Sequence, residues 1–431
     1  MLNAMRLLFL TPQLPYPPHQ GTTLRNFNIL KNLAPRHEIH LLSFGTQAEI
    51  QNSPLREFCA RIEIAPPPTR SLAQRALETF FHPLPDMARR LHSPALAQKL
   101  KTLLNENIYD VVQIEGIEMA SAWLDERRTT SDEHVSSSVL RRPPSVVFDD
   151  HNAEWTLQKT AYETDRKNPR RWHGALYSRI QFDKLKRFER DVCLNANAVV
   201  TVSLQDAEAV ASLDARIKPI VIPNGVDCEY YVPSQEVCAK PLAEISVVFT
   251  GKMDFRPNVD ACVWFADEIL PLLRQEIPLA HVSFVGQKPS AQVFALQERA
   301  GIEVTGFVPD TRPYIADAAV FAVPLRMGSG TRLKVLEAMA MGKAIVSTSF
   351  GVSGIACENG REVLIADDAR EFAHAVALLM CDTEKARALG MNARKLAVEK
   401  YEWQKLVPRF EAIYARARDD NNTKNSQGGV L

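Results

Sequence analysis

The sequence predicts an α/β protein made of two doubly wound parallel-sheet domains. Short apolar segments alternate with helical segments along most of the chain, and this alternation begins anew after a proline-containing stretch at 229–243. A chain of 431 residues also exceeds one ordinary domain. We therefore place a first domain at 1–228, a linker at 229–243 and a second domain at 244–400.

Composition excludes several classes of protein. The 51 basic residues balance 51 acidic ones, so the chain lacks the overall positive charge of a nucleic-acid binder. The seven cysteines never form a C-x-x-C pair, which argues against a disulfide framework or a structural zinc site. No apolar run approaches the roughly 18 residues of a membrane span. These observations predict a cytoplasmic globular protein.

The first domain is predicted to open with a strand, a proline-rich loop ending at Gly21, a helix, and a second strand at 38–44. This order is typical of a βαβ unit and places Gly21 at a helix N-terminus, where backbone N–H groups bind phosphate well. A bare turn is an equally good interpretation of a single glycine.

Polar residues follow two further predicted strands of this domain. The strand at 110–116 ends near Glu115, and the strand at 145–148 is followed closely by His151. Ligands of open α/β sheets bind beyond the carboxyl ends of the strands, so we expect Glu115 and His151 to share one wall of a cleft with Gly21. A loop-capping role is the alternative for His151.

Four segments outside the predicted strands have compositions that predict other kinds of structure. Residues 125–145 are polar and Ser/Thr-rich, which predicts a mobile insert. Residues 166–190 form a basic amphipathic helix, typical of a surface helix on a sheet or of contact with an anionic membrane, and both can hold. Residues 401–417 predict a helix that packs back on the first domain, and 418–431 a disordered tail.

The stretch GSGTRLKVLEAMAM at 328–341 has the pattern of a binding site. A strand precedes its glycines and a helix follows them, so free backbone N–H groups lie at a helix N-terminus. The acid Glu337 projects from a largely apolar helix and needs a partner. An ordinary surface helix capped by a Gly-Ser loop is the alternative interpretation.

Five motifs in a fixed order resemble glycosyltransferase family 4 (glycosyl transferases group 1), in its exopolysaccharide branch, from Arg6 to about Tyr414. They are PYPPHQGTTLRN (15–26), IPNGVD (222–227), FTGKMDFRPN (249–258), VTGFVPD (304–310) and GSGTRLKVLEAMAMGKAIVSTSFGVSGI (328–355). The resemblance implies the GT-B fold, in which two Rossmann-like domains face each other across a cleft.

The resemblance also implies roles for the last motif. Glu337 matches the second glutamate of the family motif, which accepts hydrogen bonds from the ribose hydroxyls of the nucleotide. Gly330, Thr331 and Arg332 match the helix start that offers N–H groups to the diphosphate. Arg332 and Lys334 are expected to share the neutralisation of its charge.

Other positions match the family elsewhere in the chain. Lys252 and Arg256 stand near the family's basic pair, although their spacing is not the usual one. Phe307 and Val308 match the turn whose backbone contacts the nucleobase edge. His151 matches the histidine of the first domain that lies close to the donor sugar.

Two glycine-loop positions complete the comparison with the family. Gly21 matches the loop that approaches the sugar or phosphate. Ser329 is a departure, because it stands eight positions before Glu337, where the family commonly has a glutamate that contacts the donor sugar. The resemblance therefore leaves sugar selectivity open, and we expect an altered active enzyme rather than an inactive one.

The function implied is retaining transfer of a sugar from a nucleoside-diphosphate sugar to a hydroxyl acceptor, in polysaccharide or glycolipid biosynthesis. No cofactor is expected, and the absence of an Asp-x-Asp motif predicts metal independence. The basic helix makes a lipid-linked acceptor at the inner membrane face the first hypothesis, with a small metabolite as runner-up. A non-catalytic nucleotide-sugar-binding partner of a transferase and a nucleotide-sugar epimerase remain as alternatives.

Overall fold

The computed structural model describes residues 3–18, 21–132, 143–167, 171–233, 246–328 and 332–427. The strands are β1 (Arg6–Thr11), β2 (Glu38–Phe44), β3 (Arg61–Ala65), β4 (Val111–Glu115), β5 (Ser145–Asp150), β6 (Ala198–Thr201), β7 (Ile220–Val221), β8 (Ser246–Thr250), β9 (His281–Val285), β10 (Ile302–Gly306), β11 (Val320–Val323), β12 (Ala344–Ser347) and β13 (Leu364–Ile365).

The α-helices are α1 (Gly21–Leu33), α2 (Gln47–Gln51), α3 (Leu55–Phe58), α4 (Leu72–Phe81), α5 (Asp86–Arg90), α6 (Pro94–Glu106), α7 (Ile117–Asp132), α8 (Glu154–Asp165), α9 (Trp172–Asn195), α10 (Leu204–Ala211), α11 (Arg256–Trp264), α12 (Leu270–Glu276), α13 (Ala291–Phe294), α14 (Arg312–Asp317), α15 (Leu333–Ala340), α16 (Ala369–Cys381), α17 (Thr383–Leu396) and α18 (Trp403–Gln427). None of the helices in the described ranges has the length and hydrophobicity needed to span a bilayer.

The chain divides into two compact units. Unit 1 comprises Met1–Pro223 with Val407–Leu431, and unit 2 comprises Asn224–Leu406. Each unit contains one sheet in which all the strand pairs are parallel. The predicted doubly wound α/β class is therefore confirmed.

Unit 1 has a seven-stranded sheet in the order β3-β2-β1-β4-β5-β6-β7. All five residues of β4 are buried, as expected for a central strand covered on both faces. The strand order reverses between β1 and β4, so the connections that follow these two strands diverge and leave a crevice at their carboxyl ends. The chain enters α1 at Gly21 on leaving the loop after β1.

Unit 2 has a six-stranded sheet in the order β10-β9-β8-β11-β12-β13. Its order reverses between β8 and β11, which makes the carboxyl ends of these strands the corresponding crevice. The loop after β11 leads into α15, five of whose residues are fully buried in the apolar core of the unit (Val335, Leu336, Ala338, Met339 and Ala340).

The first unit ends earlier than the predicted boundary at 228. The break lies at Pro223 because the segment that follows packs on unit 2. The Val226 N–H donates to the Tyr401 carbonyl at 2.8 Å, and Tyr231 packs against the core of unit 2. The predicted linker at 229–243 is described only up to Pro233.

Two sequence predictions about irregular segments need correction. The insert predicted at 125–145 begins inside α7, which continues to Asp132, and β5 already begins at Ser145. Residues 133–142 lie outside the described residues. The tail predicted from 418 is helical through Gln427, because no glycine or proline interrupts α18 there and Asn421 donates to the Pro143 carbonyl at 2.8 Å.

Candidate functional site

The N-terminal end of α15 is the centre of the candidate site in unit 2. Arg332 immediately precedes this helix, and its guanidinium lies 5.0 Å from the centroid of the Phe350 ring. Burial lowers the pKa of the Arg332 guanidinium to about 10. The predicted phosphate-loop residues Ser329, Gly330 and Thr331 lie outside the described residues.

Lys334 is held by neutral groups. Its ammonium donates to Asn258 Oδ1 at 2.9 Å and lies 4.0 Å from the centroid of the Phe249 ring. Asn258 is fixed in turn, because its amide donates to the Lys252 carbonyl at 2.9 Å. Burial lowers the pKa of the Lys334 ammonium to about 7. A ligand with negative charge would favour the protonated ammonium at this position.

A glycine permits this arrangement. A Cβ atom at Gly251 would lie 2.7 Å from Lys334 Nζ and 2.7 Å from Asn258 Nδ2, closer than packed atoms can approach. Glycine at the carboxyl end of β8 is therefore needed for the contact between Lys334 and Asn258.

Glu337 lies on the same side of α15 as Lys334, one turn further along the helix. Burial raises the pKa of the Glu337 carboxyl, although the hydrogen bond from Tyr231 and the charge of Lys334 oppose this rise. The partner that the sequence required for this acid is thus the Tyr231 hydroxyl. A half-buried carboxylate has the acceptor oxygens that a vicinal diol requires.

The other predicted residues of unit 2 are more exposed. Lys252 is exposed, its ammonium lies 3.6 Å from Asp254 Oδ1, and only its carbonyl joins the contacts of Lys334. Arg256 is the exposed first residue of α11. Phe307 is 69% exposed at the turn after β10, whereas Val308 packs against the core.

In unit 1, His151 and Glu115 come together as expected. His151 Nε2 lies 2.8 Å from Glu115 Oε2, and the Gln113 amide donates to Glu115 Oε1 at 2.6 Å. The Tyr414 hydroxyl donates to Gln113. Burial would lower the pKa of His151, but the hydrogen bond to Glu115 and the charges of Asp149 and Glu115 outweigh it and raise the pKa.

A buried ion pair lies beside this histidine. Arg25 donates to both carboxylate oxygens of Asp149, at 2.8 and 3.0 Å, and also to the carbonyls of Ile222 and Pro223. The two side chains are 2% and 0% exposed. The ion pair therefore ties α1 to the carboxyl end of β5.

Glu115, Asp149 and His151 form a geometric cluster of three residue types that can ligate a metal, with ligand atoms within 4.8 Å of one another. Both oxygens of each carboxylate already accept hydrogen bonds, from Arg25 for Asp149 and from Gln113 and His151 for Glu115. The Arg25 charge also opposes a second cation. The arrangement is better suited to orienting His151 than to holding an ion.

A small pocket in unit 1 contains His151. Its lining residues are Pro12, Thr22, Gly116, Ile117, Glu118, Asp150, His151, Asn152 and Glu154. Thr22 follows Gly21, so the pocket brings the start of α1 beside His151. Burial and the charge of Glu118 raise the pKa of Glu154 to about 7.

Sequence reasoning missed four contacts of these sites. Asn258 and Arg25 lie inside the quoted motifs, but the motifs gave neither of them a partner. Tyr231 and Tyr414 carry no recognisable signal, because they reach Glu337 and Gln113 from distant parts of the chain.

Comparison with known proteins agrees with the two-unit architecture. The family model for Glycosyl transferases group 1 matches residues 244–382, and the model for Glycosyltransferase Family 4 matches residues 20–230. An uncharacterised 44.6 kDa protein in the cps region of Klebsiella pneumoniae is 21% identical over 425 residues, covering 95% of this chain and 99% of that protein.

The name of a second relative states an activity. The GDP-mannose-dependent α-(1-6)-phosphatidylinositol monomannoside mannosyltransferase of Mycolicibacterium smegmatis is 25% identical over 221 residues, which cover 46% of this chain and 56% of that protein.

Solved structures show the same fold. Sucrose-phosphate synthase from Thermosynechococcus elongatus has a TM-score of 0.70 at 17% identity and covers 96% of this chain and 98% of that one. HepE from Anabaena, solved with UDP and glucose, has a TM-score of 0.64 at 16% identity and covers 95% of this chain and 99% of that one. The chain therefore has the GT-B fold and belongs to the group 1 glycosyltransferases of family 4.

Proposed function

We propose that this protein transfers a sugar from a nucleoside-diphosphate sugar to a hydroxyl acceptor and retains the anomeric configuration. The observation that carries the proposal is the pairing of Lys334 with Glu337 on one side of α15, directly after Arg332. Cations suit a diphosphate, and a half-buried carboxylate suits a ribose diol. HepE was solved with UDP and glucose, which supports a nucleotide-sugar donor.

The proposed chemistry makes the diphosphate the leaving group. As the bond from the anomeric carbon to the diphosphate oxygen breaks, negative charge develops on that oxygen. Lys334 and Arg332 stabilise this charge from half-buried positions, where charge stabilisation is stronger than in bulk water. Glu337 holds the nucleotide in place, and Lys252, Arg256, Phe307 and Val308 stay proposed donor contacts, together with the loop residues Ser329, Gly330 and Thr331.

His151 is proposed to act on the sugar side of the donor, with Gly21 in the neighbouring loop. Glu115 engages Nε2, and Nδ1 has no hydrogen bond in the described part of the chain. Nδ1 is thus the ring atom left for a sugar hydroxyl or the acceptor. Because Glu115 holds the ring, the histidine is positioned before the substrate binds.

Metal independence is part of the proposal. The positive charge for the diphosphate comes from Arg332, Lys334 and the N–H groups at the start of α15. The acidic cluster around Asp149 has its oxygens engaged by Arg25 and its neighbours. Turnover that survives a chelator unchanged supports this; turnover that EDTA abolishes and Mg²⁺ restores contradicts it.

The proposed process is polysaccharide or glycolipid biosynthesis, with a lipid-linked acceptor as the first hypothesis. The Klebsiella relative lies in a cps region, and the mycobacterial relative is named for a phosphatidylinositol mannoside acceptor. A panel of polyprenyl-linked and free sugar acceptors separates this hypothesis from a small-metabolite acceptor.

The test of the donor site is a thermal-shift panel of UDP-, GDP-, ADP- and dTDP-sugars. A donor at about 100 times its Kd should stabilise the folded protein by about 2.7 kcal/mol. Glu337→Ala should remove most of that shift, because the ribose loses its carboxylate acceptor. Exposed Glu399→Ala is the matched control and should keep the shift.

If Glu337→Ala keeps the full donor-induced thermal shift, the assignment of Glu337 to the ribose is contradicted. Donor turnover with acceptor present, and NMR of the product anomer, then test transfer and retention. Binding without turnover across the acceptor panel would favour a non-catalytic partner, and product formed without any acceptor would favour an epimerase.

A further inference from the structure

Helix α4 turns its apolar side toward solvent. Leu72 is 84% exposed, Leu77 61%, Phe80 55% and Phe81 81%. At about 100° per residue these four side chains fall within about half of the helix circumference. A surface helix of a globular protein normally turns such a side toward the core. Nothing in the described part of the chain covers it.

The polar side of α4 faces the protein instead. Glu78 accepts hydrogen bonds from Arg70 at 2.7 Å and from Arg89 at 3.0 Å. Arg75 lies 3.2 Å from Asp86, which is buried. These ion pairs fix the rotation of the helix, so the outward direction of the apolar side is built into unit 1.

Helix α9 lies beside α4 and also exposes apolar side chains. The Lys184 ammonium donates to the carbonyls of Thr79 and His82 at 2.7 and 2.6 Å, which places α9 beside the end of α4. Near its start α9 exposes Trp172 (57%) and Leu176 (45%). We group the exposed apolar side chains of both helices as the apolar patch: Leu72, Leu77, Phe80, Phe81, Trp172 and Leu176.

Charge identifies the partner. Residues 166–190 contain nine Lys or Arg and two Asp or Glu, although the whole chain balances 51 against 51. Arg166, Lys167 and Arg171 are exposed just before Trp172. Aromatic and aliphatic side chains beside clustered cations suit the headgroup boundary of an anionic bilayer. A second copy of the chain would bring like charges together.

We propose that the apolar patch inserts into the surface of an anionic lipid bilayer, with the exposed cations Arg166, Lys167 and Arg171 on the headgroups. The carboxyl-edge sites of both units are not part of this surface. The inference therefore does not depend on the proposed sugar transfer, and either can fail alone.

Vesicle flotation of the full chain tests the proposal. We expect binding to phosphatidylcholine vesicles that contain phosphatidylglycerol, and much weaker binding without it or at high salt. The triple change Leu77→Ser, Phe80→Ser, Phe81→Ser should weaken binding by at least about tenfold, because three apolar side chains no longer leave water. Lys167→Gln with Arg171→Gln should cost roughly fivefold per cation at low salt.

The matched control changes exposed apolar residues of unit 1 outside the patch. Ile108 is 58% and Leu204 72% exposed, and Ile108→Ser with Leu204→Ser should leave binding unchanged. The fluorescence of Trp172 gives a second measurement of lipid binding that needs no destabilising substitution. Vesicles should shift tryptophan emission to the blue, and the shift should shrink in Trp172→Phe.

Three outcomes overturn the proposal. One is wild-type protein that does not float with anionic vesicles. Another is equal loss of binding in the patch and control variants. The third is a dimer, seen by sedimentation without vesicles, that the triple change dissociates while lipid binding is absent, because the patch then covers a second copy of the chain.

Discussion

The two units bury opposite charges at the carboxyl edges of their sheets. Unit 1 has four carboxyl groups on residues that are at most 1% exposed, namely Glu115, Asp149, Asp150 and Glu189. Unit 2 instead places the cations Arg332 and Lys334 at the start of α15, with Glu337 as the acid nearby. We therefore propose an anionic ligand group for unit 2, whereas unit 1 offers a histidine in an acidic setting.

The units also stabilise their buried charges differently. In unit 1, Asp149 has the full charge of Arg25 as a partner. Burial and the charge of Glu189 raise the pKa of Asp150 well above its usual range. In unit 2, Lys334 contacts the neutral Asn258 and the Phe249 ring. Asp149 is thus paired within unit 1, whereas we expect Lys334 to gain a further counter-charge, beside that of Glu337, when an anion binds.

The largest expected effect on stability comes from breaking the Arg25–Asp149 ion pair of unit 1. Arg25→Met leaves the Asp149 carboxylate buried without a cation, which should lower the free energy of unfolding by about 3–5 kcal/mol. Urea unfolding, with amide hydrogen exchange in β1 and β5 as the readout of unit 1, measures this change.

The control for this ion pair is Arg6→Met. Arg6 and Glu38 form a surface pair whose side chains are 37% and 42% exposed, so its loss should cost about 0–1 kcal/mol. Equal costs for the two variants would show that the Arg25 ion pair does not hold unit 1 together.

A smaller effect concerns the proton bound by Glu189. Burial raises the pKa of Glu189 to about 8, so the folded state keeps a proton that the unfolded chain releases near pH 4.5. This contribution to stability is fully present at acidic pH and is lost as the pH rises through about 8. Glu189→Gln should remove this loss and make unit 1 more stable than wild type at alkaline pH, by on the order of 2 kcal/mol.

Hydrogen exchange in β5 across this pH range measures the difference between wild type and Glu189→Gln. Exposed Glu208→Gln in the same unit is the control and should follow the wild-type profile. A Glu189→Gln profile that also follows wild type would contradict the raised pKa of Glu189.

The fold was largely predictable because buried parallel strands are marked by apolar runs. The strands that position the sites, such as β4, β5 and β8, follow this pattern. Glu337 was found because it lies in a motif, and His151 because it closely follows the end of β5. Tyr231 was not, because its contact with Glu337 joins segments that are far apart in the sequence.

Hydrophobic periodicity did not predict the orientation of helix α4. The sequence of α4 shows which residues share a side, but it does not show which side faces the protein. The ion pairs of Glu78 with Arg70 and Arg89 decide that orientation, and they involve residues outside the helix. The tail after 418 was mispredicted for a related reason, since polar composition does not prevent a helix from continuing.

The most direct test of the donor site in unit 2 is calorimetric binding of UDP as a function of pH. In the proposed site the diphosphate binds the ammonium form of Lys334, and the fraction of neutral Lys334 increases as the pH rises above about 7. UDP affinity should therefore weaken with rising pH, by up to about tenfold per pH unit, in a range where the phosphate itself no longer titrates.

Lys334→Met should bind UDP at least about tenfold more weakly near neutral pH and lose this pH dependence, because it removes the titrating cation. Exposed Lys395→Met is the control and should match wild type, since its side chain is 72% exposed. Unchanged affinity and an unchanged pH profile in Lys334→Met would contradict the assignment of the diphosphate to α15.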